Sequence, residues 1–264
     1  MPVRLEYRVE ARNLSQASEN RIHDDDVARR FGFGGGLVPG VEVYAYMTHL
    51  PVAQWGIDWL ERGTAECKLV KPVYDGKLVT LAAAESARTL AITAESDGVL
   101  CATGAAALSD GPPNVPSLRA PAPVPVLDAR PAADEGTLAV GRRLSSHVLR
   151  VTRDELRQYL RDIHETESIY ARESVVHPAY MLRVCNFVLK DNVTLGPWIH
   201  TASSIRHCGL ARVDEPLAGH GEVAANYERN GHRFVDLDVT IAAGESRPVA
   251  QVRHTAIYRL RDSR

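Results

Sequence analysis

Residues 37–56, LVPGVEVYAYMTHLPVAQWG, form an apolar stretch that predicts a buried helix. Within it, Val41, Tyr44, Ala45 and Thr48 recur at the spacing of one helix face. Three strand-like segments separated by turn signals follow it: residues 65–86, 88–96 and 98–108. The first half of the chain is therefore predicted to be one long helix followed by an antiparallel meander.

A second apolar stretch, VVHPAYMLRVCNFVL at residues 175–189, repeats this order of elements. A strand at residues 145–152 and a short helix are predicted before it, with Thr152 and Glu155 in the pattern of a capping box. The segments after it alternate polar and apolar residues and contain the hairpin signal Asn230-Gly231. The second half thus has the same predicted organisation as the first.

Seven of the 15 prolines lie in residues 109–136, a segment with neither helical nor alternating periodicity. This composition favours an extended, semi-rigid linker. The predicted organisation is a first unit at residues 1–108, the linker, and a second unit at residues 137–264. Neither unit alone could bury both faces of its sheet. We therefore expect an α+β fold in which two antiparallel sheets each wrap around a central helix and join edge to edge, with the linker outside.

Composition limits the possible partners and location. The chain has 264 residues, a net charge of -2 and a pI near 6.6, which gives no basic field for nucleic acid. No stretch approaches the roughly 18 apolar residues of a membrane span, and the first residues lack the apolar core of a signal peptide. The four widely spaced cysteines, without a CxxC pair, are predicted to be buried reduced thiols. The prediction is a cytoplasmic protein with no nucleic-acid or membrane partner.

Residues 19–40, ENRIHDDDVARRFGFGGGLVPG, combine a histidine, three aspartates and a glycine cluster before the first apolar helix. A dinucleotide loop is disfavoured, because the glycines follow a helix-like segment and the G-x-G-x-x-G spacing breaks at Leu37. A metal site lacks a second histidine four residues from His23. Asp24 and Asp26 fit the acidic first turn of a helix. We therefore expect neither a metal nor a cofactor.

Residues 20–40 resemble the hydratase signature of the MaoC-like dehydratases, a family that includes R-specific enoyl-CoA hydratases. That signature runs roughly G-D-x-N-P-I-H-x-D, then a small residue, G-F, an apolar pair and H-G. The matching residues are Asn20, Ile22, His23, Asp25, Ala28, Gly32, Phe33, Leu37, Val38 and Gly40. The resemblance implies a double hot-dog fold that hydrates an enoyl thioester or dehydrates a 3-hydroxyacyl thioester.

Several positions depart from that signature. Ser18 stands where the family has its catalytic aspartate, Arg21 where it has proline, and Pro39 where it has the last histidine. The acid-base pair is therefore incomplete. In the second half, Glu165 and Tyr170 stand at the positions of the aspartate and the histidine, as in the degenerate half that double hot-dog hydratases commonly carry.

The resemblance implies catalytic roles for His23, Asp25 and Gly40. His23 would transfer protons, since a histidine accepts and donates them near neutral pH. The Gly40 N–H, at the start of the helix, would donate to the thioester oxygen. The partner of His23 is left open between Asp25, Glu19 and a carboxylate from the other half.

The substrate-binding candidates are Ser18, Asn20, Tyr44, Arg183 and Asn186. Asn20 is expected to hold the histidine or the thioester, and Tyr44 is either a donor or a core residue. Arg183 and Asn186 share one helix face, which predicts an anion site between the halves or a salt bridge. Three residues of one strand-like stretch are undecided between core and pocket wall: Trp198, His200 and His207.

Three functions remain open from the sequence. The first is a MaoC-like hydratase or dehydratase acting on an acyl thioester carried by coenzyme A or a carrier protein. The second is a non-catalytic ligand-binding or partner subunit, because the aspartate is missing. The third is a thioesterase, which would need a carboxylate or a histidine-bound water near the carbonyl carbon. A homodimer is also left open.

Overall fold

The computed structural model describes residues 4–111, 115–118, 120–244 and 246–261. Part of the predicted linker, residues 112–114 and 119, lies outside the described residues. The first half contains β1 (Arg4–Glu10), α1 (Asp25–Arg30), α2 (Gly40–Arg62), β2 (Gly63–Leu69), β3 (Leu78–Ser86), β4 (Thr89–Ser96) and β5 (Val99–Leu108). The second half contains β6 (Arg143–Ser145), β7 (Leu149–Arg150), α3 (Arg153–Asp162), α4 (Ile169–Glu173), α5 (Ala179–Lys190), β8 (Ile199–His207), β9 (Pro216–Arg229), β10 (His232–Ala243) and β11 (Arg247–Arg259). Short 3-10 turns lie at Arg21–His23 and Leu127–Ala129.

The described strands form one 11-stranded sheet in the order β1-β3-β4-β5-β2-β8-β11-β10-β9-β6, with β7 paired to β9. The antiparallel pair β2–β8 joins the strands of the first half to those of the second. The two apolar helices, α2 and α5, pack on this sheet and contact each other. The predicted α+β fold, with antiparallel sheets joined edge to edge, is confirmed, and the sheet is not closed into a barrel.

The same backbone contacts surround both central helices. Leu37 bridges Tyr74 ahead of α2, and Val175 bridges Arg212 ahead of α5. Val175 and Arg212 each lie the same number of positions after their counterparts Leu37 and Tyr74. The repeated order of elements that the sequence indicates is therefore present around both helices.

Each central helix lies close to the sheet because a glycine of the sheet faces it. A Cβ at Gly104 of β5 would lie 2.7 Å from Met47 Cε on α2, and a Cβ at Gly219 of β9 would lie 2.5 Å from Val188 Cγ2 on α5. These distances leave no room for a side chain in a close-packed interior. The glycines therefore fix the depth at which each helix sits.

One predicted strand, residues 145–152, is interrupted in the structure. β6 ends at Ser145 and β7 covers only Leu149–Arg150. Between them the His147 N–H donates to Asp191 Oδ2 at 3.0 Å instead of to a neighbouring strand. The buried carboxylate of Asp191 thus draws the backbone out of the sheet.

Other local predictions are confirmed. Thr152 and Glu155 form the capping box at the start of α3. Asn230 and Gly231 both have positive φ in the β9–β10 hairpin, as a tight turn of this type requires. The four cysteines are buried and unbridged.

The described part of the proline-rich segment runs over the outer face of the sheet. The Ala122 N–H donates to Ser145 Oγ at 2.9 Å, and Pro116 and Ser117 face Arg206 and Arg253 of the sheet across a cavity of about 550 Å³. The predicted unit boundaries at residues 108 and 137 stay a prediction.

Candidate active site

A cavity of about 740 Å³ lies between the two halves at the start of α2. Its walls come from the segment before α2, the loop after β2, α5, β8 and the end of β11. The predicted site residues that line it are Ser18, Asn20, His23, Gly40, Arg183 and Asn186. Asp25 and Tyr44 are not part of this lining. The structure thus brings together predicted residues that are more than one hundred positions apart in the chain.

Hydrogen bonds fix the orientation of the His23 ring. His23 Nδ1 lies 2.7 Å from the Leu37 carbonyl oxygen, so we assign the proton to Nδ1, which donates to it. Asn20 Nδ2 lies 3.3 Å from His23 Nε2 and donates to its lone pair. Burial lowers the pKa of His23, and the Leu37 carbonyl offsets only part of this effect. His23 is therefore a neutral imidazole on the cavity lining, with its basic Nε2 turned to the Asn20 amide.

Asn20 ties the His23 segment to the second half. Its Nδ2 donates to the Trp198 carbonyl at 2.9 Å, and its Oδ1 accepts from the Trp198 N–H at 3.2 Å. Asn20 also caps the short turn that carries His23, accepting from the Ile22 N–H. The predicted contact between Asn20 and the histidine is present, and the same side chain holds the two halves together at the cavity.

Asp25 does not contact His23. Its Oδ1 accepts from the Gly36 N–H at 2.7 Å, and its Oδ2 pairs with Arg29 at 3.4 Å. A Cβ at Gly36 would lie 2.2 Å from the His23 carbonyl oxygen, so the glycine cluster and Asp25 together fold this loop against the histidine. Among the described residues no carboxylate forms a hydrogen bond with His23, so Asp25, one of the candidate partners left open, does not orient its ring.

Gly40 begins α2 at the cavity, so no earlier turn of the helix can accept from its N–H. A Cβ at Gly40 would lie 2.4 Å from Leu69 Cδ1 and 2.7 Å from His200 Nδ1. The close packing explains why glycine stands here. The same packing places His200 Nδ1 directly beside the start of α2.

An ion pair between a half-buried arginine and a buried glutamate joins the two central helices at the same cavity. Glu42, in the first turn of α2, is fully buried and accepts from Arg183 Nη2 of α5 at 2.5 Å. The Arg183 guanidinium also lies over the rings of Tyr159 and Tyr180, at 4.7 and 5.2 Å from their centroids. Burial raises the pKa of Glu42, and Arg183 counteracts only part of that rise. Of the two roles predicted for Arg183, an anion site or a salt bridge, the salt bridge is present, with a partner that sequence reasoning missed.

Several buried polar atoms of this lining have no hydrogen-bond partner among the described residues. They are Glu42 Oε2, Arg183 Nε, Asn186 Oδ1 and His200 Nδ1. Buried polar groups are normally satisfied, so four unpaired atoms on the residues of one cavity lining favour a site for a polar ligand.

Tyr44 belongs to the core. It is only 1% exposed, and its hydroxyl has no hydrogen-bond partner among the described residues. Burial raises its pKa well above the ordinary value. Of the two roles left open for Tyr44, the structure shows the core position, because its place on the helix directs it into the interior.

A β-bulge turns His200 toward the cavity. In the pairing of β8 with β11, Ala202 faces Thr255 and His200 faces Ala256, which leaves Thr201 as the extra residue. Without the bulge, strict alternation from Ser203 would direct Thr201 inward. The sequence left His200 undecided between core and pocket wall because a bulge has no clear single-sequence signal.

The equivalent site of the second half is closed. Val175, Val176 and Pro178, ahead of α5, line a crevice of only about 10 Å³. Glu165 is hydrogen-bonded to His49, whose Nδ1 lies 2.8 Å from Glu165 Oε1. Tyr170 is fully buried. Among the described residues, the start of α2 therefore has an open cavity and the start of α5 does not.

Metal binding has no support in the described part of the chain. No group of three or more His, Cys, Asp or Glu side chains is placed there to hold an ion.

Replacing Gly40 with Ala should lower the free energy of unfolding by about 1–3 kcal/mol, the usual cost of overpacking. The reason is the contact of the new Cβ with Leu69 and the His200 ring. Urea unfolding measures the change. Gly136→Ala is the control, because its Cβ would meet only Asp134 Oδ1, at 3.4 Å. An equal, small effect of both changes would contradict the close packing at Gly40.

No protein-family model matches the sequence, and no curated protein matches it. Solved structures resemble it over most of its length. One is Rv0216 of Mycobacterium tuberculosis, described as a conserved hypothetical protein that has a double hot-dog fold and is essential for bacterial survival during infection. It is 14% identical, and the match covers 97% of this chain and 96% of Rv0216 with a TM-score of 0.68.

Two further structures carry named activities. A protein of Chloroflexus aurantiacus described as a MaoC domain dehydratase is 12% identical over 98% of this chain and 95% of its own, with a TM-score of 0.64. Acyl-CoA thioesterase II of Mycobacterium marinum is 12% identical over 83% of this chain and 90% of its own, with a TM-score of 0.50. At such low identities the likeness shows the fold alone, and it confirms the predicted double hot-dog fold.

Proposed function

We propose that the chain is an acyl-thioester hydro-lyase, which adds water to an enoyl thioester or removes it from a 3-hydroxyacyl thioester. The observation that carries the proposal is the neutral His23 on the lining of the cavity where α2 begins, with Nδ1–H committed to Leu37 and the Nε2 lone pair held by a long 3.3 Å contact from Asn20, which a bound water would replace. The N-terminus of α2 provides positive potential and the Gly40 N–H for an oxygen that becomes negative. A proton acceptor and an oxyanion donor at one cavity are the requirements of this chemistry.

A single histidine can carry out both proton transfers. In hydration, water oxygen bonds to the β-carbon while His23 Nε2 takes one water proton, and the electron pair of the double bond moves to the thioester oxygen as an enolate. The enolate then collapses, and the α-carbon takes the proton from Nε2. The net change is the addition of one water, and His23 returns to its neutral form. Dehydration runs the same steps in reverse.

The remaining lining suits an acyl chain and a charged carrier. Apolar side chains from both halves line the cavity, among them Phe33, Leu37, Trp198 and Ile257. The exposed Lys71 lies on the same lining and adds positive charge for the phosphates of coenzyme A or of a carrier protein's prosthetic group. No helix in the described part of the chain is long and apolar enough to cross a membrane. A cytoplasmic location and a homodimer belong to this proposal as well.

Turnover of a panel of enoyl- and 3-hydroxyacyl-CoA thioesters of increasing chain length tests the function. Loss of the conjugated enoyl absorbance together with a product heavier by one water would support it. Release of free coenzyme A would instead identify a thioesterase. Saturable binding of a thioester without either product would identify a binding subunit, and in both cases the hydro-lyase proposal would be wrong.

Replacing Ser18 with Asp should raise hydration about 10- to 100-fold, the lower part of what a positioned proton-transfer group supplies. Ser18 lines the cavity, and its hydroxyl donates to the Asn20 carbonyl, in the segment that holds His23. Initial rates with the best enoyl thioester measure the effect. Ser18→Asn is the matched control, because it has the same shape without the charge. A gain with Asn equal to the gain with Asp would rule out acid-base assistance.

A further inference from the structure

His200 is a buried group at the start of α2 that the proposed proton transfers leave unused. It is 5% exposed and lines the cavity. Its Nδ1 has no hydrogen-bond partner among the described residues and would lie 2.7 Å from a Cβ at Gly40. An unpartnered imidazole nitrogen therefore stands beside the helix N–H to which the thioester oxygen is assigned.

We infer that His200 is a second hydrogen-bond donor to the thioester oxygen, acting from Nδ1 beside the Gly40 N–H. The inference rests on the proposed function, because it requires a thioester in this cavity. Two donors aimed at one oxygen stabilise the enolate more than one, since the charge develops where the donors already point.

The far side of the His200 ring is fixed by a buried hydrogen-bond chain. His200 Nε2 lies 2.8 Å from Ser203 Oγ, which lies 2.9 Å from His254 Nδ1. Either direction of hydrogen bonding satisfies both contacts, so the tautomer is an assignment. A thioester oxygen in front of Gly40 needs a donor, so it favours the tautomer of His200 that carries its proton on Nδ1. In that tautomer Ser203 Oγ donates to His200 Nε2. The hydrogen-bond chain holds this ring in place, and so does the stacking of His200 on His254, whose ring centroids lie 4.4 Å apart.

Burial also keeps this imidazole uncharged. It lowers the pKa of His200 to about 4, although the Ala202 carbonyl opposes the shift. The groups that contact the ring are neutral: Ser203 of the same strand and His254 of β11. At neutral pH His200 is a neutral donor that polarises an oxygen without delivering its proton.

His207, on the same strand, provides a matched control. It is 4% exposed, burial lowers its pKa to about 4, and its Nε2 also has no partner among the described residues. Its ring packs edge-on against Trp59, at 5.0 Å between centroids, and it does not line the large cavity. Loss of either imidazole therefore removes a similar buried group, but only His200 faces the proposed substrate.

The test compares His200→Leu, His200→Asn and His207→Leu. His200→Leu should lower kcat/KM by about 10²- to 10³-fold, the usual cost of one oxyanion donor. His200→Asn keeps an amide N–H near the position of Nδ1 and should recover about tenfold of that loss. His207→Leu should stay within about threefold of the unchanged chain. Where His200→Leu does not fold, Ser203→Ala replaces it and should cost about tenfold, because the tautomer is no longer fixed.

A second measurement does not depend on turnover. Isotope-edited infrared spectroscopy of a bound saturated acyl-CoA reports hydrogen bonding to the carbonyl, whose band should move toward the free position in His200→Leu but not in His207→Leu. If the chain turns over the thioester and His200→Leu and His207→Leu have equal rates and equal carbonyl bands, the role of His200 is overturned and the proposed function stays intact. The band shift without turnover would support His200 and refute the hydro-lyase. Absence of any bound thioester would overturn both.

Discussion

Replacing Arg183 with Met should lower the free energy of unfolding at neutral pH by about 3–5 kcal/mol, because it leaves the Glu42 carboxylate buried and uncompensated. Glu42 is fully buried, and the described structure gives it no cation other than Arg183. The cost should shrink as the pH falls. Without Arg183 the folded-state pKa of Glu42 rises further, so protonation at low pH removes the buried charge and restores stability.

The control is a double-mutant cycle with Glu42→Gln, followed by urea unfolding. Removing both charges should recover most of the loss, because a buried pair contributes little net stability over neutral residues. Arg157→Met breaks an exposed pair with Asp154, where Arg157 is 57% exposed, and should cost roughly 0–1 kcal/mol. An Arg183 effect no larger than that of Arg157, and independent of pH, would mean that Glu42 is already neutral in the folded protein.

The fold was predictable because its signals are local. The helical spacing that begins near Val41 and the alternation of the strands each need only a short window of sequence. The break in the predicted strand at residues 145–152 was not predictable, since its cause is Asp191, far along the chain. Propensity favours a strand there, and a tertiary hydrogen bond overrides it.

The candidate site was predictable only where it resembles a known signature. His23, Asn20 and Gly40 belong to one contiguous segment, and the structure places them on one cavity. Glu42 was missed because a carboxylate in the first turn of a helix usually faces solvent. His200 was undecided because its direction depends on a bulge set by the pairing of β8 with β11.

Replacing His23 with Ala should lower turnover of an enoyl or 3-hydroxyacyl thioester by about 10²- to 10⁴-fold, the contribution of a positioned proton-transfer group. The loss should appear mainly in kcat, because His23 acts on the water and the α-carbon and not on the carrier. The pH profile provides a second test. Burial lowers the pKa of His23, so hydration should fall as the pH drops through that lowered value, and this acid limb should vanish in His23→Ala.

His220→Ala is the matched control for loss of an imidazole. His220 lies on the cavity beneath the proline-rich segment, away from His23, so turnover should be unchanged. A His23→Ala variant whose KM rises while kcat and the acid limb persist would make His23 a binding residue. The proton acceptor would then have to be sought among the other groups of the cavity. Glu42 would be the first to replace, because its Oε2 has no partner among the described residues and burial already raises its pKa.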